Sequence, residues 1–402
     1  MSARVVLFRP AFPAGAVNVT SLPTGMNESI CVFSSAHPAG DVRIFEKECR
    51  SLVRAGYRVT LVVLSDVDQI REGVRIKAVS KPATRLERTT CTVLSVFRRA
   101  VEEDAAIYHF HDPELIPLGI YLRLRGKTVI YDIHEDLPKD ILSKHYIPKV
   151  LRWPLSVVAD CVESLGSRGF SALVCATPAI GSRFQTKNQT VVVVNNYPPL
   201  NSLQGETGAP WDVRPPAIGY VGGISEQRGL RQLVGAMDAL PPRLEGRLKL
   251  AGQFEGASFR VALSRSKGWS RVDYLGLLSR AAIERLLGEL LAGVVLYLPE
   301  PNHVRSQPHK LFEYMSAGIP VIASDFPHWR KMIEEAGCGL LVDPRDSRAI
   351  AKAIEFILTN RNTAEEMGRK GRAAVESKYN WGSEELKLLE LYNRLLGHPC
   401  AA

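Results

Sequence analysis

The sequence predicts an α/β protein of two doubly wound domains joined by a linker. Three observations carry that expectation. A strand–helix–strand unit closes within the stretch SICVFSSAHPAGDVRIFEKECRSLVRAGYRVTLVVL, Ser29 to Leu64. The same rhythm restarts at AIGYVGG after residue 216. Between the two lies YPPLNSLQGETGAPWDVRPP, Tyr197 to Pro216, with the proline and glycine content of a linker.

The elements follow in order. Ile30–Ser34 is an apolar run fit for a buried strand. Ile44, Cys49, Leu52 and Val53 lie towards one face of a helix that Gly56 ends, and Tyr57–Leu64 is a second buried strand. A strand, helix and strand in so short a span form a βαβ unit, which makes the sheet parallel. Ala106–Phe110, a helix from Pro113, Gly126 and the strand Thr128–Asp132 repeat it, and Ala172–Ala176 and Thr190–Asn195 are further strands. Past the linker, Leu230–Leu240 reads as a helix, and LKLAGQF, VDYLG, GVVLYL and PVIAS as strands. The last helix, WGSEELKLLELYNRLL, carries Leu388, Leu389, Tyr392, Leu395 and Leu396 on one side and needs a surface to cover them. The expected boundaries are a poorly ordered extension at 1–28, domains at 29–205 and 217–380 around a linker at 206–216, and the terminal helix at 381–399.

Composition narrows the class. The chain has 402 residues, 46% hydrophobic and 23% charged, as an ordinary globular protein has. Its 7 cysteines show no CxxC pair and no metal-ligand spacing, which points to free thiols in a reducing compartment, the cytoplasm. The first 28 residues lack the order of a signal peptide, and no apolar run approaches the roughly 20 residues that span a bilayer. A net charge of +9 implies an anionic partner. Nucleic acid is set aside, because no zinc finger, RNP-type aromatic motif or long basic run is present.

The segment SQPHKLFEYMSAGIPVIASDFP concentrates the chemistry. Pro308 suits the first turn of a helix, Gly318 its C-terminal cap, and Pro320 prevents continuation. Leu311, Phe312 and Met315 then form the buried side, while His309, Lys310 and Glu313 share the other. The helix start offers N–H groups and a positive dipole end to a phosphate. One turn deeper, Glu313 can accept two hydrogen bonds from a vicinal diol such as a ribose, and Lys310 adds charge for a diphosphate. The same spacing also fits a solvated Lys310–Glu313 ion pair worth under about 1 kcal/mol.

Taken in order, HPAGDVRIFEKE, HFHDPE, YDIHED, GYVGGISEQRG, KLFEYMSAGIPVIAS, GCGLLVDPRD and YNWGSEELKLLELYNRLL resemble the family-four glycosyltransferases of the GT-B fold, as found in bacterial surface polysaccharide synthesis. The resemblance covers nearly the whole chain after residue 28. It implies two Rossmann-like domains facing a cleft, with the terminal helix crossing back to the first. It also implies transfer of a sugar from a nucleotide-diphosphate donor, with retention and without a metal or other cofactor. The donor would lie in the second domain, at Gly222, Gly223, Arg305, His309, Lys310, Leu311 and Glu313. Glu313 matches the glutamate that holds the ribose, and Arg228 falls where a lysine commonly faces the diphosphate. His111 matches the residue that approaches the transferred sugar. His111, Arg228 and Lys310 are thus the catalytic candidates.

Two departures from the family pattern stand out. The first motif glutamate, eight positions before Glu313, is Arg305 here, and the arginine of the opening turn is Gly223. Arg305 is therefore expected either to replace the missing cation or to meet an acidic donor sugar, unless it points to solvent.

On the acceptor side, His37, Asp41 and Arg43 follow the first strand, and His134, Glu135 and Asp136 follow another. Those are carboxyl ends of strands, where α/β ligands bind. They are expected to line the site for a glycan or lipid-linked acceptor. The basic-apolar stretches RLERTTCTVLSVFRRA and SKHYIPKVLRWPLS fit either peripheral contact with the inner face of a membrane or helices packed on their own domain. A sugar-nucleotide epimerase on the same scaffold, or a non-catalytic sugar-nucleotide-binding protein, are the alternatives. A dinucleotide site is set aside, because GYVGGISEQRG lacks G-x-G-x-x-G.

Overall fold

The computed structural model describes residues 27–144, 147–200 and 209–398. The expected extension at 1–28 lies almost wholly outside the described residues, as does the start of the expected linker at 206–216. Two α/β domains each enclose a central sheet. The first contains β1 (Ser29–Pro38), β2 (Arg58–Leu64), β3 (Gln69–Arg71), β4 (Val74–Val79), β5 (Ile107–Phe110), β6 (Thr128–Ile133), β7 (Ala172–Cys175) and β8 (Val191–Val193), in the order β3-β4-β2-β1-β5-β6-β7-β8. The second contains β9 (Ala217–Val221), β10 (Arg247–Ala251), β11 (Val272–Gly276), β12 (Ala292–Val295), β13 (Val321–Ser324) and β14 (Gly339–Val342), in the order β11-β10-β9-β12-β13-β14.

One expectation needs correction. The first sheet is parallel except at its edge, where β3 runs antiparallel to β4. Glu72 and Gly73, both at positive φ (48° and 80°), make the two-residue turn of a hairpin. The second sheet is parallel throughout.

Each order reverses once, between β1 and β5 in the first sheet and between β9 and β12 in the second. At such a switch point the loops leave in opposite directions and open a crevice at the carboxyl ends of the strands. His37 stands at the carboxyl end of β1, the loops after β5 and β6 carry His111 and His134, and those after β9 and β12 carry Gly222 and Tyr297.

The helix after β1 starts as a π-helical run, Val42–Cys49, and continues as the α-helix Arg50–Arg54. Asp41 caps it, its Oδ1 accepting from the N–H groups of Arg43 (2.8 Å) and Ile44 (2.9 Å).

The terminal helix, Trp381–Leu395, leaves the second domain and packs on the first. Trp381, Leu388, Leu389, Leu391 and Tyr392 are buried in one core with Ile30, Val32, Leu52 and Leu61. Polar contacts fix its register: Trp381 Nε1 donates to Ser51 Oγ (2.9 Å), Tyr57 Oη to Asn393 Oδ1 (2.8 Å), and the Asn195 N–H to Glu384 Oε2 (2.8 Å). Among the described residues, no helix is long and apolar enough to cross a membrane, and six cysteines are free.

Candidate active site

A cavity of about 530 Å³ opens between the two sets of carboxyl-terminal loops. The first domain contributes His37, Asp41, His134 and Glu135, and the second contributes Tyr297, Arg305, Gln307 and His309. Arg305 is exposed within this lining.

Beside Tyr297 the second domain builds a cationic corner. Lys310 Nζ lies 2.7 Å from Tyr220 Oη and 4.0 Å from the centre of that ring. Lys310 Nζ and the Arg228 guanidinium each lie 6.0 Å from the Tyr297 ring centre. Arg228 Nη1 donates to the Gly223 carbonyl at 3.2 Å. Burial first, and then the neighbouring Arg228 charge, lower the Lys310 ammonium from its ordinary 10.5 to about 7. Arg228 has Glu255 Oε1 3.8 Å from its Nη2, while Lys310 is held by a neutral tyrosine hydroxyl, so an anion bound at the corner would favour the charged form of Lys310.

The glycines explain why both cations fit. A Cβ on Gly222, which sits at φ 131°, would run into Lys310 Cε. One on Gly223 would come within 2.6 Å of Arg228 Nη1. The GG pair clears room for the two side chains, and its own backbone approaches the same corner.

The helix His309–Ser316 follows, with Pro308 at its N-cap. The first N–H groups of a helix have no intrahelical partner. That of Leu311 turns back to the Pro308 carbonyl (3.1 Å), while those of His309 and Lys310 have no partner among the described residues. One turn on, Glu313 is partly exposed, and its Oε1 accepts from Arg280 Nη1 at 3.2 Å. The alternative of a Lys310–Glu313 surface pair does not form; each takes another partner. Leu311, expected at the donor site, is 0% exposed in the second-domain core, so only its backbone faces the loop. His309 is lowered to about 3 by burial and by the nearby Lys47, Arg43 and Arg280 charges, so it is neutral at physiological pH.

In the first domain Asp112 organises the loops. Its Oδ2 accepts from Ser34 Oγ (2.6 Å) and from the Ser35 N–H (2.8 Å), drawing the loop after β5 onto β1. That pull turns His111 inward. Its imidazole is fully enclosed, and Nδ1 lies 3.1 Å from His134 Nε2. His111 was expected to approach the transferred sugar; instead it stands behind His134, which is partly exposed to the cleft. His37 Nδ1 lies 3.0 Å from Asp41 Oδ2. Burial opposes ionisation of both groups. Their mutual hydrogen bond, with Asp112 acting on His37 and the Ile44 and Arg43 N–H groups on Asp41, raises His37 and lowers Asp41 to about 2.

Arg43, expected to meet the acceptor, is a structural cation. Its guanidinium holds both oxygens of buried Asp132 (2.9 and 3.0 Å), lies 3.0 Å from Glu48 Oε1 and donates to the Val194 carbonyl (2.9 Å). A charge enclosed in this way needs its partners inside, so although Arg43 borders the cavity its guanidinium is committed to Asp132, Glu48 and Val194. Glu48, His109, His111 and Asp132 bring four ligand-type atoms within 4.8 Å of one another. Arg43 pairs with ionised Asp132, and burial together with the Asp132 charge raises Glu48 well above the usual carboxylate range, so the cluster balances one cation against one anion.

Several residues escaped the sequence reading: Tyr220, Tyr297, Arg280 and Lys47. Lys47 is 0% exposed, its Nζ donates to Asn196 Oδ1 at 2.6 Å, and burial with the Arg43 charge lowers it to about 7. Tyr220 lay within GYVGG, where its place before the turn was the available signal. Arg280 lies 33 residues from Glu313, and no local pattern links them.

Two α/β sheets, parallel but for one edge strand, with a crevice at their facing switch points, and a last helix that returns to the first domain, define the two-domain GT-B architecture. Residues 40–197 match the model of the glycosyl transferase 4-like domain, and residues 208–374 that of glycosyl transferases group 1. The chain belongs to the family-four glycosyltransferases and is a transferase enzyme. It is 24% identical over 318 residues to a phosphatidyl-myo-inositol mannosyltransferase of Mycobacterium leprae, covering 77% of this chain and 78% of the relative. An uncharacterized glycosyltransferase of Methanocaldococcus jannaschii is 22% identical over 59% of this chain, and the match spans 61% of that relative's length. Among solved structures, a sucrose-phosphate synthase from Thermosynechococcus elongatus superposes with a TM-score of 0.74 at 20% identity, covering 92% of this chain and 99% of that one.

Proposed function

We propose that this enzyme moves a sugar, with retention at the anomeric carbon, from a nucleotide-diphosphate sugar in the second domain to a glycan or lipid-linked acceptor in the first. The observation that carries this reading is the Lys310–Arg228 corner beside the open N–H groups of His309 and Lys310. It has the charge and the backbone donors that a diphosphate needs, and Gly222 and Gly223 leave it room. The bond from the anomeric carbon to the diphosphate oxygen breaks, and the acceptor oxygen attacks from the same face. The acceptor proton passes to the departing phosphate oxygen. Charge accumulates on the leaving group, so fixed cations and N–H groups aimed at it lower the barrier, and no metal is called for. Glu313, once released from Arg280, accepts the two ribose hydroxyls.

His37, Asp41, His134 and Glu135 orient the acceptor, with His111 holding His134 from behind. A lipid-linked acceptor at a membrane surface is favoured, because a relative is named for action on phosphatidyl-myo-inositol. The test is a thermal-shift screen of UDP-, GDP- and ADP-sugars, followed by turnover with the stabilising donor and NMR of the product's anomeric configuration. If no sugar nucleotide raises the melting temperature and none is consumed, the reading fails. An inverted product would refute retention alone, and an epimerised donor would move the protein to the epimerase class.

A further inference from the structure

The helix Lys149–Gly169 is built inside out. The residues it buries are Ser156, Glu163, Gly166 and Ser167. Its large aliphatic and aromatic side chains face outward instead: Val150 is 81% exposed, Trp153 70%, Leu165 67% and Val158 57%. At about 100° per residue, these positions and the exposed Leu151 and Leu155 cover an arc of roughly 200°. A surface helix of a globular domain shows the reverse, with the apolar stripe facing the core. From Val150 to Leu165 the face is about 22 Å long at 1.5 Å per residue.

The charged residues of that span lie off this face. Glu163 is buried against Tyr131, Asp160 is paired with Arg183, and Arg152 turns back to the Ile147 carbonyl. Exposed basic residues stand at both ends, Lys149 at the start and Arg168 at the finish. Ile120 and Leu124, on the neighbouring helix Ile116–Leu124, are exposed as well. The helix also adjoins the cleft. Ser156 Oγ donates to the Pro138 carbonyl (2.9 Å) on the short helix Leu137–Ser143, which supplies Lys139 and Asp140 to the cavity wall.

We infer that the outer face of Lys149–Gly169 seats this enzyme on an anionic lipid bilayer, lying in the boundary between headgroups and acyl chains. Apolar surface of this extent is costly in water, and a helix with basic ends suits a negatively charged interface. A second copy of the chain fits less well. Antiparallel pairing of two such helices would bring Lys149 of one against Arg168 of the other, like charge on like charge. The orientation also sets the acceptor cleft at the lipid surface, so the inference rests on the proposed transfer to a lipid-linked acceptor and specifies where that acceptor is met.

The test uses the full chain and vesicles of phosphatidylcholine, with and without phosphatidylglycerol. Expected are cosedimentation with the anionic vesicles, a blue shift of tryptophan emission on binding, and at least a tenfold loss of binding in the Val150→Glu/Val158→Glu/Leu165→Glu variant. The three side chains are exposed, so the variant keeps its fold, and nucleotide-sugar hydrolysis without vesicles stays at the wild-type rate. That hydrolysis reads the transferase function separately from the membrane seat. The inference is overturned if the wild type stays in the supernatant with anionic vesicles, if the variant binds as well as the wild type, or if sedimentation equilibrium finds a dimer that the variant dissolves while vesicle binding is absent.

Discussion

Lys310 makes donor affinity depend on pH. In the empty site its ammonium titrates at about 7 because burial and Arg228 oppose the charge. A bound diphosphate reverses that balance and brings the group back towards its ordinary range, so binding takes up a proton. The sign follows: affinity is highest where Lys310 is already charged and falls as pH rises through 7. At pH 7 about half of the molecules carry the charge, and at pH 9 about one in a hundred. Affinity therefore drops about 50-fold between the two, or about 2 kcal/mol at 1.36 kcal/mol per pH unit. Isothermal titration of a nucleoside diphosphate at several pH values, in buffers of different ionisation enthalpy, reads both the slope and the proton uptake. Lys47 also titrates at about 7, so the control is Lys310→Met. That variant should bind more weakly at pH 7 and lose most of the slope. A wild-type affinity that is flat from pH 7 to 9 would refute the reasoning, as would a Lys310→Met variant with the wild-type slope.

Stability of the empty enzyme should rise between pH 7 and 10. Both Lys47 and Lys310 are depressed from 10.5 in the fold, so the unfolded chain binds more protons over that window, and chemical denaturation midpoints should climb; a fall would contradict it. Gly222→Ala places a methyl against Lys310 at a φ of 131°, and should weaken nucleoside diphosphate binding at least tenfold in the same titration. Arg305→Ala, at an exposed position of the cleft, should lower affinity for the preferred donor severalfold; unchanged binding with every sugar nucleotide would remove Arg305 from the site. Tyr392→Phe strips His109 Nδ1 of its partner 2.7 Å away inside the core, and should cost about 1–3 kcal/mol in urea unfolding with donor affinity at pH 7 unchanged.

The domain plan was legible because the buried strands of a parallel sheet are continuous apolar runs with glycine after each helix. The hairpin strand Gln69–Arg71 was not, since all three residues are exposed and no alternation marks so short an edge. Strand β14 was hidden by the glycines around Cys338. In the site, the positions at strand ends could be named, but their directions could not. His37 ends β1 and Arg43 stands in the first turn of the helix that follows, and only the pairing of Arg43 with Asp132, 89 residues away, decides that it faces inward. Lys310 and Glu313 share a helix side, yet Tyr220 and Arg280, each brought by another strand or helix, determine what they hold. Sequence spacing reports proximity along one element. The protonation state of Lys310 depends on burial and on Arg228, which lies far from it in sequence.

The crossing of Trp381–Leu395 onto the first domain has a consequence for biosynthesis. A ribosome that has released the first two hundred residues has delivered a lobe with an open groove, where Ile30, Leu52 and Leu61 still lack the cover of Trp381, Leu388 and Tyr392. That lobe can close only after the second one has been made in full. The first domain is thus kept waiting with an apolar wall uncovered, and the nascent chain depends on a segment translated only after the whole second lobe.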